Sequence, residues 1–252
     1  MAADVTAMLS IHDVHARRGT EMAVKDVTLT VERGTWFGLI GANGSGKTTL
    51  LRAISGRLDL AGGTCIIGGE DLSRDRMRRA QRTGFAPTGE ALPNSLTGGQ
   101  ILDLVARGAT DPLRSLGAIG EALAIHALLD RRVGECSAGM RQRISIACAF
   151  AAGHEFVILD EPFNWLDPVA AYDLRLALRA RVDAGLTLVT ALHDLPTLAA
   201  SCDAGVLLSG GRVALALDRE ALSMGRQDLG AFERHMIQVL RRDRLPSPAP
   251  GE

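Results

Sequence analysis

Long apolar runs, paired cysteines and net charge are all scarce in this chain, and each scarcity removes a class of protein. Apolar runs such as Phe156-Val157-Ile158-Leu159 fall far short of the ~20 residues that span a bilayer, so the chain is not expected to be a membrane protein by itself. Residues 1–7 lack the basic and then apolar pattern of a signal peptide, which leaves the cytosol as the expected compartment. The four cysteines, Cys65, Cys136, Cys148 and Cys202, contain no Cys-x-x-Cys pair and read as reduced, mostly buried thiols in a reducing compartment. His12, His126, His154 and His235 show no ligand spacing, and no structural metal is expected. A formal net charge of −1 argues against a large nucleic-acid surface. The one local basic cluster, Arg74, Arg76, Arg78, Arg79 and Arg82, reads as a solvated helix face. There is no tandem repeat and no low-complexity tract.

What is present points to an α/β protein. With 252 residues and 46% apolar content, the chain suits one large α/β domain, or a core domain with a smaller insertion. Gly41-Ala42-Asn43-Gly44-Ser45-Gly46-Lys47-Thr48-Thr49 fits the phosphate-loop pattern of Gly, any four residues, Gly, Lys, Ser or Thr. Trp36, Phe37, Leu39 and Ile40 before it read as a buried strand, and residues 48–54 after it as a helix, which is the context the pattern requires. Glycines let the backbone curl so that successive N–H groups point at phosphate oxygens, and the helix N-terminus adds partial positive charge. Lys47 is placed to reach the β- and γ-phosphates and Thr48 to hold Mg²⁺.

Elsewhere, alternation over residues 9–15 and 27–31 predicts half-buried strands of an antiparallel edge sheet. Gly62-Gly63 and Gly68-Gly69 bracket a short β run at 64–67, a hairpin-like element. An arginine-rich helical stretch and a strand at 83–86, ending at Pro87, follow. Between 96 and 129 the spacing is helical, with 108–117, around Pro112, as a loop. A helix at 140–152 leads into the apolar run 156–159, which reads as a central parallel strand. Helix 169–184, strand 186–191, helix 196–200 and strand 206–208 continue the alternation. Residues 228–242 read as a final amphipathic helix, and 245–252, with three prolines, as a disordered tail.

Asp160 and Glu161 close the apolar run and so stand at the carboxyl edge of the sheet, where open α/β sheets bind ligands. Asp160 suits a Mg²⁺ partner through water, and Glu161 the water that attacks a γ-phosphate. Ser137 offers a hydroxyl and Gly139 a bare backbone N–H ahead of a helix whose dipole favours an anion.

Over roughly residues 9–217 the chain resembles the nucleotide-binding subunit of ATP-binding-cassette (ABC) transporters. Residues 41–49 resemble the family's Walker A and 156–161 its Walker B. Asn164-Trp165-Leu166-Asp167 resembles the D-loop, His193 the switch histidine that contacts the γ-phosphate, and Cys136-Ser137-Ala138-Gly139-Met140 the signature. The resemblance implies a P-loop NTPase (RecA-like) parallel-sheet core with an antiparallel β edge subdomain and an inserted α-helical subdomain at about 90–152, within one ATPase domain over 1–244. It implies ATP held by Asn43, Gly44, Ser45, Gly46, Lys47, Thr48 and Thr49, and Mg²⁺ by Thr48 and Asp160. Glu161 and His193 become catalytic, while Ser137, Ala138 and Gly139 close on a partner's ATP, with Asp167 in the D-loop. The implied partners are a second ATPase subunit and a transmembrane permease, at the inner face of the cell membrane. Residues 24–63 lean toward bacterial exporter ATPases.

Three departures accompany the resemblance. Arg18 stands where the family has an adenine-stacking aromatic, so a guanidinium, His15 or nothing stacks there. Thr88 stands where a Mg²⁺-sensing glutamine belongs. The signature has lost its Leu, one Gly and its Gln, and the methyl of Ala138 costs about 1 kcal/mol or more if the backbone there must approach phosphate closely or adopt φ > 0. Leu96-Thr97-Gly98-Gly99-Gln100 looks more like the family signature but lies too far ahead of the Walker B strand, and Thr97 reads as an N-cap. Two other classes stay open: a soluble cassette ATPase acting on nucleic acid or ribosomes, and a regulatory module with little turnover.

Overall fold

A computed structural model describes residues 7–106 and 111–243; the expected tail at 245–252 lies outside them. Alternating burial along the N-terminal segment makes the long strands β1 (Ala7–Arg18) and β2 (Glu21–Glu32), which pair antiparallel with Leu9 opposite Val31 and Ile11 opposite Leu29. Strand β3 (Trp36–Ile40), buried throughout, runs into the phosphate loop and helix α1 (Lys47–Ile54). Strands β4 (Gly62–Ile67) and β5 (Glu70–Asp71) form the expected hairpin and complete a four-stranded sheet of order β2-β1-β4-β5.

Helix α2 (Arg76–Arg82) and strand β6 (Gly84–Phe85) precede a helical segment made of α3 (Gly98–Ala106), α4 (Pro112–Leu116), α5 (Ala118–Ala122) and α6 (Ala138–Ala151). The chain then alternates through β7 (Phe156–Asp160), α7 (Pro168–Asp183), β8 (Thr187–Leu192), α8 (Leu195–Ser201), β9 (Ala204–Ser209) and β10 (Arg212–Leu217), and ends in α9 (Arg219–Gln227) and α10 (Leu229–Asp243). The second sheet has order β10-β9-β3-β8-β7-β6, parallel except for β10.

Period-two alternation in the central strands feeds two cores. Phe37, Leu39, Phe156 and Ile158 face α1 and the antiparallel sheet, while Trp36, Ile40, Val157 and Leu159 face α6, α7 and α8. Strands covered on both faces need mostly apolar sequence, which is why β3 and β7 were legible as short apolar runs, whereas β8 carries Thr187 and Thr190 among its apolar residues. All four cysteines are free and buried, as expected, and burial pushes the thiols of Cys65 and Cys148 up to about 12. Among the described residues no helix is long and apolar enough to cross a membrane.

Three local readings need correction. Residues 112–116 of the expected loop are helical, because Pro112 occupies the first turn, where a missing N–H costs nothing, and Asp111 caps it by accepting from Leu113 N and Arg114 N. Strand β10 and helix α9 were not expected. The signal for β10 was Gly210-Gly211 between two apolar runs, both at positive φ, the chemistry of a tight hairpin turn. The arginine cluster is not simply a solvated face. Arg79 is 1% exposed and donates to the carbonyls of Ala53, Leu58, Leu72 and Ser73. Arg78 and Arg82 pair with Glu70, and Arg76 with Asp59. Thr97 does cap its helix: its Oγ1 accepts from Gln100 N at 3.3 Å while its own N–H donates to Gln100 Oε1 at 3.0 Å, a capping box.

Replacing Arg79 by Met keeps the stem but strips buried carbonyls of their donor. Urea denaturation should show a loss of about 3–5 kcal/mol, against about 0.5 kcal/mol or less for Arg78→Ala.

Candidate nucleotide site

The phosphate loop is built on positive φ. Gly44 (φ 81) and Gly46 (φ 101) sit in the left-handed region, where any Cβ is strained. They differ in surroundings: a Cβ on Gly44 would meet nothing within 4 Å, whereas one on Gly46 would lie 2.5 Å from the carbonyl oxygen of Ala23. The loop is thus clamped on its β2 side and open above. Gly211 N donates to Ser45 O and Lys25 N to Gly211 O, so the β9–β10 turn and β2 brace it from below.

Lys47 lies across this loop, with Nζ 2.7 Å from Gly41 O and 3.4 Å from Ala42 O. It is buried, and burial lowers its pKa, an effect that the charges of Glu161 and Asp160 offset in part. Asp160 ends β7. Burial raises its pKa, a hydrogen bond from Thr48 pulls it back, and the neighbouring charge of Glu161 raises it again. Its Oδ1 is buried without a hydrogen-bond partner, as is Ser45 Oγ. A buried carboxylate oxygen with an open lone pair beside a threonine hydroxyl is a donor set that suits a hard cation such as Mg²⁺.

Glu161 follows at φ 48, in the left-handed region that costs a non-glycine residue roughly 1–3 kcal/mol. The conformation is over-determined by its neighbours. Glu161 N donates to Ala191 O at 3.1 Å, and Gln142 Nε2 of α6 reaches the carbonyls of Glu161 and Pro162, both at 3.4 Å. The carboxylate itself accepts from Asn164 Nδ2 at 2.6 Å. Gln142 and the Asn164–Glu161 contact escaped the sequence reading; the three-residue separation of Asn164 from Glu161 was the available signal.

Thr48, Asp160 and Glu161 open on a cleft of about 660 Å³ that Thr88, Ala138 and Trp165 also line. The structure therefore brings together the metal candidates, the glutamine-position threonine and the signature segment. Ser137 caps α6 by accepting from Met140 N at 3.3 Å. Ala138 is the first helical residue and is not at positive φ, so the strain its methyl would bring to a left-handed backbone does not arise. Gly139 is needed for a different reason: a Cβ there would lie 2.6 Å from Trp165 O. Asp167 caps α7 through Val169 N and Ala170 N and pairs with Arg143 at 3.0 Å. His193, just past β8, is exposed. On the far side His15 is held by Asp26 at 3.2 Å, while Arg18 is exposed at the end of β1.

A phosphate loop between β3 and α1, with two carboxylates at the end of the adjacent-but-one strand of a parallel sheet, defines a P-loop nucleoside triphosphatase. The family model described as ABC transporter matches residues 24–164. The hemin import ATP-binding protein of Pseudomonas fluorescens (strain Pf0-1) is 36% identical over 231 residues, covering 85% of this chain and 89% of that protein. The Nod factor export ATP-binding protein I of Cupriavidus pinatubonensis (strain JMP 134 / LMG 1197) is 30% identical over 212 residues, covering 82% and 65%. A solved ATP-binding subunit of an ABC transporter superposes with a TM-score of 0.80 at 28% identity, covering 93% of this chain and 99% of that one. The chain belongs to the ABC transporter family as an ATP-binding subunit, and is an ATPase.

The contrast between the two loop glycines is testable. Gly44→Ala should lose about 1 kcal/mol from backbone strain alone; Gly46→Ala should lose about 3 kcal/mol or more, because the Ala23 carbonyl must also move. Equal midpoints in chemical denaturation would contradict the clamp.

Proposed function

We propose that this ATPase binds MgATP on its phosphate loop, pairs with a second cassette, and drives a transmembrane permease from the cytoplasmic face of the membrane. The observation that supports this best is the phosphate loop with the buried Lys47 lying across it, next to an Asp160 whose Oδ1 is buried without a hydrogen-bond partner. In this reading the loop residues Asn43, Gly44, Ser45, Gly46, Lys47, Thr48 and Thr49 hold the triphosphate. Lys47 exchanges its two loop carbonyls for phosphate oxygens, a stronger charge-assisted pair. Thr48 and Asp160 hold Mg²⁺, which when bound neutralises charge on the phosphates; Thr88 lines the same cleft with a short hydroxyl that reaches less far than an amide.

Glu161 accepts a hydrogen bond from the attacking water, oriented by Asn164 from one side and by the Gln142-held backbone from the other. His193 contacts the γ-phosphate. Ser137, Ala138 and Gly139, at the N-terminus of a fourteen-residue helix, offer a hydroxyl, N–H groups and the positive end of the dipole to the triphosphate of the second cassette. Asp167 sets the start of α7 beside them.

The direction of transport is proposed as export, on the likeness of residues 24–63 to bacterial exporter ATPases; the named relatives include one of hemin import and one of Nod factor export. No observation favours a nucleic-acid role, since four of the five arginines that could have carried one, Arg76, Arg78, Arg79 and Arg82, are engaged by Asp59, Glu70 and backbone carbonyls.

Glu161→Gln should lower MgATP turnover by roughly 10²–10⁴-fold with ATP binding retained, while Lys47→Ala should lose binding as well. Full turnover in either variant would end the assignment. Reconstitution with the co-purifying permease in vesicles bearing the cassette outside should give ATP-driven accumulation in the lumen; ATP-driven depletion would mean import.

A further inference from the structure

At the end of the parallel sheet where β3, β8 and β9 begin, a cavity of about 740 Å³ opens among the carboxyl ends of α7 and α8 and helix α9. Five residues of β3 separate it from the phosphate loop, roughly 17 Å along the strand. Its volume lies in the range of small-molecule sites. Gly34 (φ 66) and Gly185 (φ 104), in the turns before β3 and β8, form a wall of bare backbone, and a Cβ on Gly185 would meet nothing within 4 Å. Arg179, Arg219 and Arg226 line the cavity against only two acids, Asp183 and Asp203.

The acids are taken up by one arginine. Arg179 donates to Asp183 Oδ1 and to Asp203 Oδ2, both at 2.9 Å, and the latter oxygen also accepts from Trp36 N. Arg226 gives a single nitrogen, Nη1, to the carbonyls of Ala199 (2.7 Å) and Cys202 (3.5 Å) at the end of α8; among the described residues its Nε and Nη2 have no partner. Arg219 is looser still, with Nη2 3.9 Å from Asp203 Oδ1 and a side chain 77% exposed. It is also the first residue of α9, where the helix dipole disfavours a cation, so the helix does not account for its charge. Ser201 lines the same cavity, is 5% exposed, and carries an Oγ without a hydrogen-bond partner, whereas buried hydroxyls are normally paired.

We propose that this cavity binds a small phosphorylated molecule, its phosphoryl group held by the unused edges of Arg226 and Arg219 and by the Ser201 hydroxyl, which one torsion turns toward it. Arginine forks match the oxygens of such a group in pairs. Three donor groups on separate residues suit a tetrahedral anion better than a planar carboxylate, and its charge balances the arginine that the two acids leave over. A phosphoryl group fills a small part of the cavity; the remainder, beside Gly34 and Gly185, admits a polar body the size of a sugar.

Calorimetric titration of inorganic phosphate and of glucose 6-phosphate into the full chain tests this, with the phosphate loop filled by MgADP so that neither probe binds there. Both should bind at one site per chain, the sugar phosphate at least as tightly. Arg219→Glu, at an exposed position, should weaken both about tenfold or more. Ser201→Ala should weaken both several-fold without lowering the thermal midpoint, since its hydroxyl bonds to nothing in the protein. Equal affinity in the parent and both variants, or no saturation by either probe at millimolar concentration, overturns the inference. Binding that sodium chloride of matched ionic strength abolishes would be screening of surface charge alone and overturns it as well. Capture by phosphatidic acid vesicles without a response to either soluble probe would assign the arginines to a lipid surface and overturn it too.

Discussion

The site depends on keeping a lysine and an aspartate buried at the carboxyl end of a parallel sheet without giving either a full set of protein partners. Lys47 and Asp160 answer burial with opposite pKa shifts, downward for the amine and upward for the acid, because loss of water disfavours the charged form of each. Their mutual attraction offsets part of that cost, yet the lysine settles on two carbonyls of its own loop and one carboxylate oxygen is left open. A core packed for stability alone would have closed both sites. The unspent bonding capacity is what a triphosphate and a cation can use. The rest of the fold holds the two groups apart and in place: glycines let the loop curl, β2 and the β9–β10 turn press on it from behind, and α1 starts immediately after it.

Helix α6 ties the remaining parts of the cleft together. Within little more than two turns it sends Ser137 to its own cap, Arg141 back to the carbonyl of Cys136, Gln142 to the carbonyls beside Glu161, Arg143 to Asp167 and Ser145 to the carbonyl of Pro87. A rigid shift of α6 therefore displaces the backbone at Pro87 beside Thr88, the strained backbone at Glu161 and the start of α7 in one movement. The helix has both faces engaged: buried residues from Ile144 onward fill the core, while the first two turns carry these polar links.

How much of this was legible in the sequence follows from the range of the interactions involved. The phosphate loop, the buried runs of β3 and β7 and the N-cap at Thr97 are local: each is decided by glycine conformation, side-chain period or a bond between residues three apart, and each was readable. Arg79 was misread because its neighbours in sequence are solvated arginines, and only tertiary packing shows that it fills a ring of carbonyls from α1, the α1–β4 connection and the turn after β5. Strand β10 was missed because its residues are partly exposed and its burial depends on pairing with β9, although Gly210-Gly211 carried the turn. Glu161 was singled out correctly as a carboxylate at a strand end, but its left-handed backbone had no sequence signature, and the three-residue separation of Asn164 was the sole hint of the bond to its oxygen.

The altered signature looks different once its backbone is known. Loss of a glycine at Ala138 would matter if the chain had to turn left-handed there, yet that residue opens α6 with ordinary helical geometry and its side chain is exposed. Gly139 is the position where no side chain fits, and the atom that forbids one is the carbonyl of Trp165. The two segments are thus complementary at the level of the backbone: the left-handed turn that brings Trp165 O against α6 demands glycine opposite it, and the same turn throws the indole outward. Replacing Ala138 leaves that contact untouched, whereas any side chain at Gly139 would have to push the Trp165 turn away and disturb the loop that holds Asn164 against Glu161. The constraint on the segment is therefore the backbone at 139 and the loop across from it; of the departures from the usual letters, Ala138 is exposed, whereas Cys136 is buried in the core and Met140 packs partly against it.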